Sequence, residues 1–538
     1  MHLMPKTGWG VAWRGLLAFV LIAGCAAGAT ATAGLLKFKS IADVINIQKP
    51  LESKELTVPP PGAPQTLLLV GVDHRYGQGR TPGNTDTMML VRVNDKSSTI
   101  NMLSIPRDIQ VNVPGYGLEK INAAYSERGP DLLIQTLKQD VFPTLKVNQL
   151  LLVDFSSFAN LINAIGCVYA QVDHRYYNHS IGAADLTTDY SSIDIQPGYQ
   201  KLCGGHGSDL GGPNTALAFV RFRHNDSDFV RESRQQDFLR WAKQNFSVDK
   251  LLSNQNTLLH DFAKDVQSDD LLHSTTGLIG LFDLAIHADG SATKSFTFPY
   301  GPPIAGTTNI SFSEAASEAT FKQFMKPTVA APPASTTTTT TSTTPTRGRK
   351  RGRKAKPTFT LPAYMAADKG DGTSQAAHLG NVGFPIFYPL DIPTDYSYCF
   401  GLTGNCDIGY EPPAAYLHSY PRSYTITGTD GKHYPAYVMT LLKSYGGVTE
   451  TGTGAYATVE GTTWPGAGHA AGPPLLRDPT STETVNGKTL YVYSQGGSYT
   501  VVAWKTKKAV YWISNTIQND IPNDEMVAMA ATFTYARG

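Results

Sequence analysis

Cysteine is scarce in this chain: five occur in 538 residues. No Cys-x-x-Cys and no His-Glu-x-x-His are present, so the usual zinc spacings are missing. There is no Gly-x-Ser-x-Gly elbow and no phosphate-binding P-loop, which removes the common hydrolase and nucleotidase signatures. Charge of one sign is also lacking. Lys and Arg number 45 against 44 Asp and Glu, a net charge of +1, so the bulk balance gives no sign of nucleic acid as a partner, and any anion site must be local. Long apolar runs are nearly absent too; the exception is 15–36.

That run is uncharged and roughly 20 residues long, enough to cross a bilayer. Lys6 and Arg14 precede it, which favours a cytoplasmic segment 1–14, a single-pass transmembrane helix 15–36 and a stem 37–65 containing Pro59-Pro-Pro61. Two processed forms compete: Ile22-Ala-Gly-Cys25 has the pattern of a lipoprotein cleavage box, and Ala29-Thr-Ala-Thr-Ala33 offers small-x-small peptidase sites. All three readings put the rest of the chain outside the cytoplasm, at the cell membrane. Cysteines pair there, and the expected disulfides are Cys167–Cys203 and Cys399–Cys406, each within its own globular region.

The length calls for two domains. Between 66 and 326, β-rich apolar runs at 66–70, 87–93, 99–105, 150–153 and 168–172 read as strands. They alternate with helical patterns at 131–140, 155–165, 214–220, 232–244, 251–266 and 278–287. Such alternation predicts a three-layer α-β-α domain, an α/β fold class. Residues 327–374 read as a linker: a threonine run at 336–341, prolines, then Arg347-Gly-Arg-Lys-Arg-Gly-Arg-Lys-Ala-Lys356. On an exported chain this basic stretch suits anionic wall polymer or lipid headgroups, or is a solvated spacer. Residues 375–538 are rich in tyrosine and turns and predict a small α+β domain. Strands at 488–493, 499–505 and 509–514 should form a meander, closed by a helix over 523–533 with Asn523 as its N-cap. Trp464, Trp504 and Trp512 either stack on sugars or fill the core.

Two charge-rich segments carry the chemistry. The first runs Gly71-Val-Asp-His-Arg75, then Asp86, then Ser104-Ile-Pro-Arg-Asp108. The second is Arg221-Phe-Arg-His-Asn-Asp226-Ser-Asp228, followed by Arg231, Arg234, Gln235 and Gln236. Asp73 follows the first strand and Asp86 precedes the second, so a hairpin would bring the two carboxylates together. Such a pair suits Mg²⁺, which takes oxygen ligands and shares its shell with substrate phosphates. Arg231 and Arg234, three apart, should share a helix face. Converging guanidiniums repel unless an anion lies between them, and arginine is the residue of bidentate phosphate contact. An Arg–Asp salt-bridge network without ligand is the competing reading.

Residues 66–245 resemble the LytR-CpsA-Psr family of enzymes that attach glycopolymers to peptidoglycan. The resemblance rests on Leu67-Leu-Leu-Val-Gly-Val-Asp-His-Arg75, Thr85-Asp-Thr-Met-Met-Leu-Val91, Leu103-Ser-Ile-Pro-Arg-Asp108 and Pro114-Gly-Tyr-Gly-Leu-Glu-Lys-Ile-Asn-Ala-Ala-Tyr125. Val153-Asp-Phe155 and Ala216-Leu-Ala-Phe-Val-Arg-Phe-Arg-His224 through Arg234-Gln-Gln-Asp-Phe238 complete it, in order. The resemblance implies Mg²⁺-dependent transfer of a phospho-linked glycopolymer, of teichoic-acid type or another, from a polyprenyl-pyrophosphate carrier to a peptidoglycan sugar hydroxyl. It implies that Asp73 and Asp86 hold Mg²⁺, that Arg75, Arg107, Arg221 and Arg223 grip the pyrophosphate, and that Arg231, Arg234 and Gln235 complete the cluster with Lys120. Asp108, Asp226 and Asp228 are the candidates to take the acceptor proton.

One position departs from the family pattern. Where an arginine is expected two residues before Asp86, the chain has Asn84; Arg80 is then the candidate to reach in. Two further functions fit the same residues: a hydrolase in which water is the acceptor, and a non-catalytic wall-binding or regulatory membrane protein.

Overall fold

The structure is a computed structural model, described for residues 51–60, 63–72, 85–94, 97, 99–178, 193–205, 215–222, 228–245, 267–269, 292–326, 359–398, 421–445, 448–449, 455–465 and 472–536. The segment 15–36, the helices expected at 251–266 and 278–287, most of the linker, and Cys399 and Cys406 lie outside these residues. Among the described residues no helix is long and apolar enough to cross a membrane.

The first module opens with β1 (Gln65–Val72), β2 (Thr85–Asn94) and β3 (Thr99–Ile105), as the apolar runs predict. A hairpin of β4 (Gln110–Val113) and β5 (Gly117–Lys120) leads into α1 (Ile121–Thr136), which ends in a π turn, Leu137–Val141. Then come β6 (Gln149–Val153), α2 (Phe155–Ala164), β7 (Val168–Val172), the paired β8 (Tyr176–Asn178) and β9 (Ile193–Ile195), and β10 (Gly198–Leu202). After these follow α3 (Thr215–Arg221), α4 (Asp228–Asn245), β11 (Gln267–Ser268), β12 (Ala292–Phe296), the hairpin β13 (Tyr300–Pro303) and β14 (Ile310–Phe312), and α5 (Glu314–Phe324). Helix α1 starts earlier than the 131–140 read from the sequence. Gly129 at φ 73° and Pro130 interrupt it, and that interruption looks like a helix start when read as sequence alone.

A mixed six-stranded sheet forms the middle layer in the order β11-β6-β1-β2-β3-β12. Alternation along the strands splits its faces. Leu68, Val70, Met88, Leu90, Leu103 and Ile105 join Ile121, Ala124 and Leu133 of α1 in one core. Leu67, Leu69, Met89, Val91 and Met102 point the other way, toward α2, α3 and α4. These three layers are a mixed α/β arrangement.

The second module contains β15 (Met365–Ala367), α6 (Lys369–His378), β16 (Phe387–Pro389), β17 (Asp391–Pro393), β18 (Tyr396–Tyr398), β19 (Arg422–Thr427), β20 (His433–Tyr445), β21 (Val448–Thr449) and β22 (Tyr456–Thr462). It continues with β23 (Ser481–Val485), β24 (Lys488–Gln495), β25 (Ser498–Lys505), β26 (Val510–Ser514), α7 (Asn523–Ala531) and β27 (Phe533–Tyr535). The expected meander is present as β24-β25-β26, inside a nine-stranded sheet. Regular structure begins before residue 375: β15 and α6 occupy the end of the stretch assigned to the linker. Asp368 caps α6 by accepting from Asp371 N at 3.2 Å, and Gly372 sits so close to the Tyr388 ring that a Cβ would stand 2.4 Å from it. Asn523 is likewise not the N-cap of α7; Pro522 is. The Asn523 side chain instead accepts from Tyr499 N and donates to Gly497 O, each at 2.8 Å, fastening the helix to the β24–β25 turn.

The two modules share a core. Strand β26 is buried on both faces: Tyr511 and Ile513 pack with Met526 and Met529 of α7, while Val510 and Trp512 pack with Val168, Tyr169 and Tyr199 of the first module. Trp464 and Trp512 are 1% and 0% exposed, so these rings are core and cannot stack on an external sugar; Trp504 is buried as well. Polar contacts cross the same boundary. Gln171 donates to Thr458 Oγ1 at 3.0 Å and to Glu460, Glu460 accepts from Tyr199 N at 3.0 Å and from Tyr424 Oη at 2.6 Å, and Leu475 N donates to Tyr199 Oη at 3.1 Å. The disulfide Cys167–Cys203 ties the ends of β7 and β10 together.

Candidate functional site

Strands β1 and β2 pair so that Val72 opposes Thr85, the residues just before Asp73 and Asp86. Asp73, Arg75, Arg80, Asn84, Arg223 and Asp226, and the Asp228 side chain, lie outside the described residues. Asp86 is the second residue of β2, an inner strand of the sheet. Arg107 follows β3 after Pro106 and donates through Nη1 to Asp86 Oδ1. Arg221, the last residue of α3, reaches the other carboxylate oxygen, Nη2 to Oδ2 3.4 Å, and its guanidinium lies 4.1 Å over the Phe155 ring. Asp108 pairs with Lys120, Nζ to Oδ1 2.7 Å, and lies 3.5 Å from Arg107 Nε.

These side chains line a polar pocket of about 740 Å³ together with Thr87, Glu119, Asn122, Glu127, Arg231, Gln235 and Asn309. Asp86, Arg107, Asp108, Lys120, Arg221, Arg231 and Gln235, all expected from the sequence, therefore meet in one place. Arg234 does not. It is fully buried and donates to Phe219 O at 3.2 Å and Phe222 O at 2.9 Å. A position three residues on is turned some 60° around the helix from Arg231, enough to carry it from the pocket wall into the core. Its role is to close the carbonyl end of α3, not to meet a substrate. Gln235 donates to Val220 O at 3.2 Å and to Thr87 Oγ1 at 3.0 Å, holding α4, α3 and β2 in register. Ser104 Oγ accepts from Gln236 at 2.9 Å and is buried, in keeping with a sequence that offers it no base. Sequence reasoning missed Thr87, Asn122 and Glu127. Thr87 stands next to Asp86 but one residue of strand alternation away, and the other two are on the part of α1 that was not read as helix.

The polar pocket joins an apolar cavity of about 520 Å³ at Asp86, Thr87, Arg221 and Gln235, which line both. From that junction the cavity runs between the sheet and helices α2–α4, past Leu69, Met89, Phe158, Leu217 and Phe238, to Ile100, Ala242 and Thr293 near the far end of the strands. Its walls are almost wholly hydrocarbon, and its mouth is charged. An amphiphile with a long apolar chain and an anionic head matches that division. Among the described residues no three His, Cys, Asp or Glu side chains cluster as a metal cage. Asp86 by itself offers hard oxygens at the pocket edge, so a divalent cation there fits only with oxygens from elsewhere, such as phosphates.

The charged pocket and the attached apolar cavity lie in a segment with a recognisable sequence. The chain matches the LytR_cpsA_psr family over residues 35–321 and belongs to that family. It is 29% identical over 279 residues to the polyisoprenyl-teichoic acid–peptidoglycan teichoic acid transferase TagT of Bacillus subtilis (strain 168), covering 51% of this chain and 80% of that protein. A transferase of the same description, TagU of Oceanobacillus iheyensis, is 30% identical over 38% of this chain and 58% of its own length. The probable cell wall biosynthesis protein LcpB of Corynebacterium glutamicum is 31% identical over 32% of this chain and 39% of its own. Among solved structures, Bacillus subtilis TagV aligns with a TM-score of 0.39 at 23% identity, covering 49% of this chain and 96% of that one. The second module lies beyond the residues matched by the family.

Proposed function

We propose that the protein transfers a phospho-linked glycopolymer from a polyprenyl-pyrophosphate carrier to a peptidoglycan hydroxyl. One observation carries this reading: a charged pocket that gathers Arg107, Lys120, Arg221 and Arg231 opens directly into an apolar cavity, through residues shared by both. The polyprenyl chain occupies the cavity and its pyrophosphate lies among Arg107, Arg221, Arg231 and Lys120. Relatives named as teichoic acid transferases over the matched half support the same class of reaction.

In the step proposed, the acceptor sugar hydroxyl attacks the phosphorus that bears the glycan. A P–O bond forms to the acceptor, the P–O bond to the lipid phosphate breaks, and polyprenyl monophosphate leaves. The transition state spreads charge over phosphoryl oxygens, so fixed guanidiniums do most of the work, without a covalent intermediate. Among the described residues Asp108, beside Lys120 and Arg107, is the candidate to receive the acceptor proton. Mg²⁺, held by Asp86 with Asp73, would neutralise the pyrophosphate when bound. An anchor at 15–36 would hold the site at the outer membrane surface, where carrier and wall meet.

The test uses a labelled polyprenyl-pyrophosphate-linked glycan with peptidoglycan. Label joined covalently to peptidoglycan, lost on chelation and restored by Mg²⁺, is the expected result. Free phospho-glycan with lipid monophosphate would identify a hydrolase instead, and full cell-wall function in an Arg107→Ala strain would leave a non-catalytic role.

A further inference from the structure

A buried chain of contacts runs from the second module to Arg221. It begins at β20 and β22. Thr440 Oγ1 donates to the Asp173 carbonyl at 3.3 Å, and the Tyr456 ring stacks on His174, centroids 4.2 Å apart and planes 18° apart. His174 in turn faces Asp173, Nδ1 to Oδ1 3.1 Å. Tyr176 Oη donates to the same oxygen at 2.6 Å and accepts from Arg234 Nε at 3.2 Å, whose guanidinium lies 4.5 Å over the Tyr176 ring. Arg234 then spans Phe219 O and Phe222 O, the carbonyls on either side of Arg221.

The side chains of Thr440, Tyr456, Asp173, His174, Tyr176 and Arg234 are all buried. Burial alone would raise the Asp173 carboxyl, but His174, Tyr176 and Arg234 hold it below its usual value, so a charged carboxylate and a charged guanidinium balance across the Tyr176 hydroxyl. Breaking one member of such a set leaves a further buried charge or polar group unpaired, so the contacts of Tyr176 with Asp173 and Arg234 hold one arrangement. That arrangement fixes where α3 ends, and α3 ends at Arg221. The family match stops at residue 321, whereas the network takes two of its supports from beyond it.

We propose that the second module is a working part of the transferase site: by holding Asp173 and His174 through Thr440 and Tyr456, it sets Tyr176 and Arg234, and so the direction in which Arg221 leaves α3 toward Asp86. Tyr176, Arg234 and Tyr456 are then positioning residues. This inference rests on Arg221 gripping the pyrophosphate, as proposed above.

The test is a set of double-mutant cycles on the full chain, read as release of lipid monophosphate from a synthetic polyprenyl-pyrophosphate-linked disaccharide with peptidoglycan present as acceptor. Tyr176→Phe keeps the ring and removes one hydroxyl; Tyr456→Leu removes the ring on His174. Each should lower kcat roughly tenfold while changing the donor KM less than about twofold, since a misdirected phosphate contact is felt mostly in the transition state. In an Arg221→Ala background the same changes should cost less than about twofold, because the residue they act through is gone. Penalties that multiply in that background, or single variants with full kcat, would overturn the positioning role. Should Tyr456→Leu not fold, Thr440→Val, which removes only the hydrogen bond from β20 to the Asp173 carbonyl, takes its place in the cycle. An Arg221→Ala variant with undiminished activity would overturn the phosphate-gripping reading itself, a result distinct from either outcome of the cycles.

Discussion

Arg221 reaches Asp86 across 135 residues of sequence, Nη2 to Oδ2 3.4 Å, and the other oxygen of that carboxylate receives Arg107. The contact joins the carbonyl end of a helix to the start of a central strand, at the point where the apolar cavity meets the polar pocket. An anion entering the pocket meets guanidiniums already gathered by Asp86, so part of the ordering cost is met before binding.

Removing Arg107 should therefore hurt catalysis far more than folding. Its ion pairs are partly exposed, 20% for Arg107 and 18% for Asp86, and pairs of that kind contribute about 0–1 kcal/mol. Loss of one fixed donor to a developing phosphoryl charge typically costs about 10²–10³ in kcat. Arg107→Ala should show that loss with a nearly unchanged melting temperature. Arg107→Lys should recover little, since an ammonium cannot reproduce the planar fork. Steady-state kinetics beside a thermal melt checks both parts.

The cavity makes a separate prediction about the donor. Ala242 on α4 lines it at the end remote from Asp86. Ala242→Trp should fill that end and exclude several carbons of a long prenyl chain, each worth about 0.8 kcal/mol when buried. The KM for a long-chain donor should rise about tenfold or more while kcat stays near its original value, and a donor with a short prenyl chain should be spared. Equal penalties for long and short donors would contradict the lipid reading of the cavity.

How much of this was legible in the sequence depended on whether a signal was local. Strands β1, β2 and β3 were readable because each is a short run of apolar, β-prone residues, and the hairpin that aligns Val72 with Thr85 followed from their order. Arg231 and Arg234 looked equivalent because helical spacing gives a shared face but not the width of a pocket. Their fates part within a single turn, one at the pocket wall and one closing α3. The second module misled in another way. The apolar run Val510-Tyr-Trp-Ile is what a strand covered on both faces should look like, yet nothing local says that β7 and β10 of a distant segment supply the second cover. Gln171, Tyr199 and Glu460 meet only because the whole sheet docks, and no spacing rule reaches across hundreds of residues.

The disulfide Cys167–Cys203 should stabilise that docking surface. It closes a loop of sequence separation 36, for which chain-entropy arguments give about 3–4 kcal/mol. Both strands it ties, β7 and β10, carry residues of the shared core, among them Val168, Ala170, Tyr199 and Leu202. Cys203→Ser should lower the melting temperature by several degrees and reduce activity indirectly, through the support of α3. Calorimetry of the variant, compared with the parent under reducing conditions, checks the size of the effect.

Glu460 gives the contact between modules a pH dependence. Its carboxyl is completely buried, and burial raises its pKa from 4.5 to about 7, with hydrogen bonds from Tyr424, Gln171, Tyr199 and Thr458 offsetting part of the rise. A folded-state pKa above the unfolded one means that the native state holds the extra proton. Stability from this group is thus complete below about pH 4.5 and is lost as pH rises toward 7, by roughly 3 kcal/mol in all. The melting temperature should fall across that interval and level off above it. Glu460→Gln removes the titration. Its amide places a donor against Tyr199 N or Gln171 Nε2, so the variant should begin below the parent at pH 5, and its curve should stay flat to pH 8, where the two converge. A Glu460→Gln curve that keeps the parent's slope would assign the dependence to another buried acid, for which Asp237, also raised by burial, is the next to substitute.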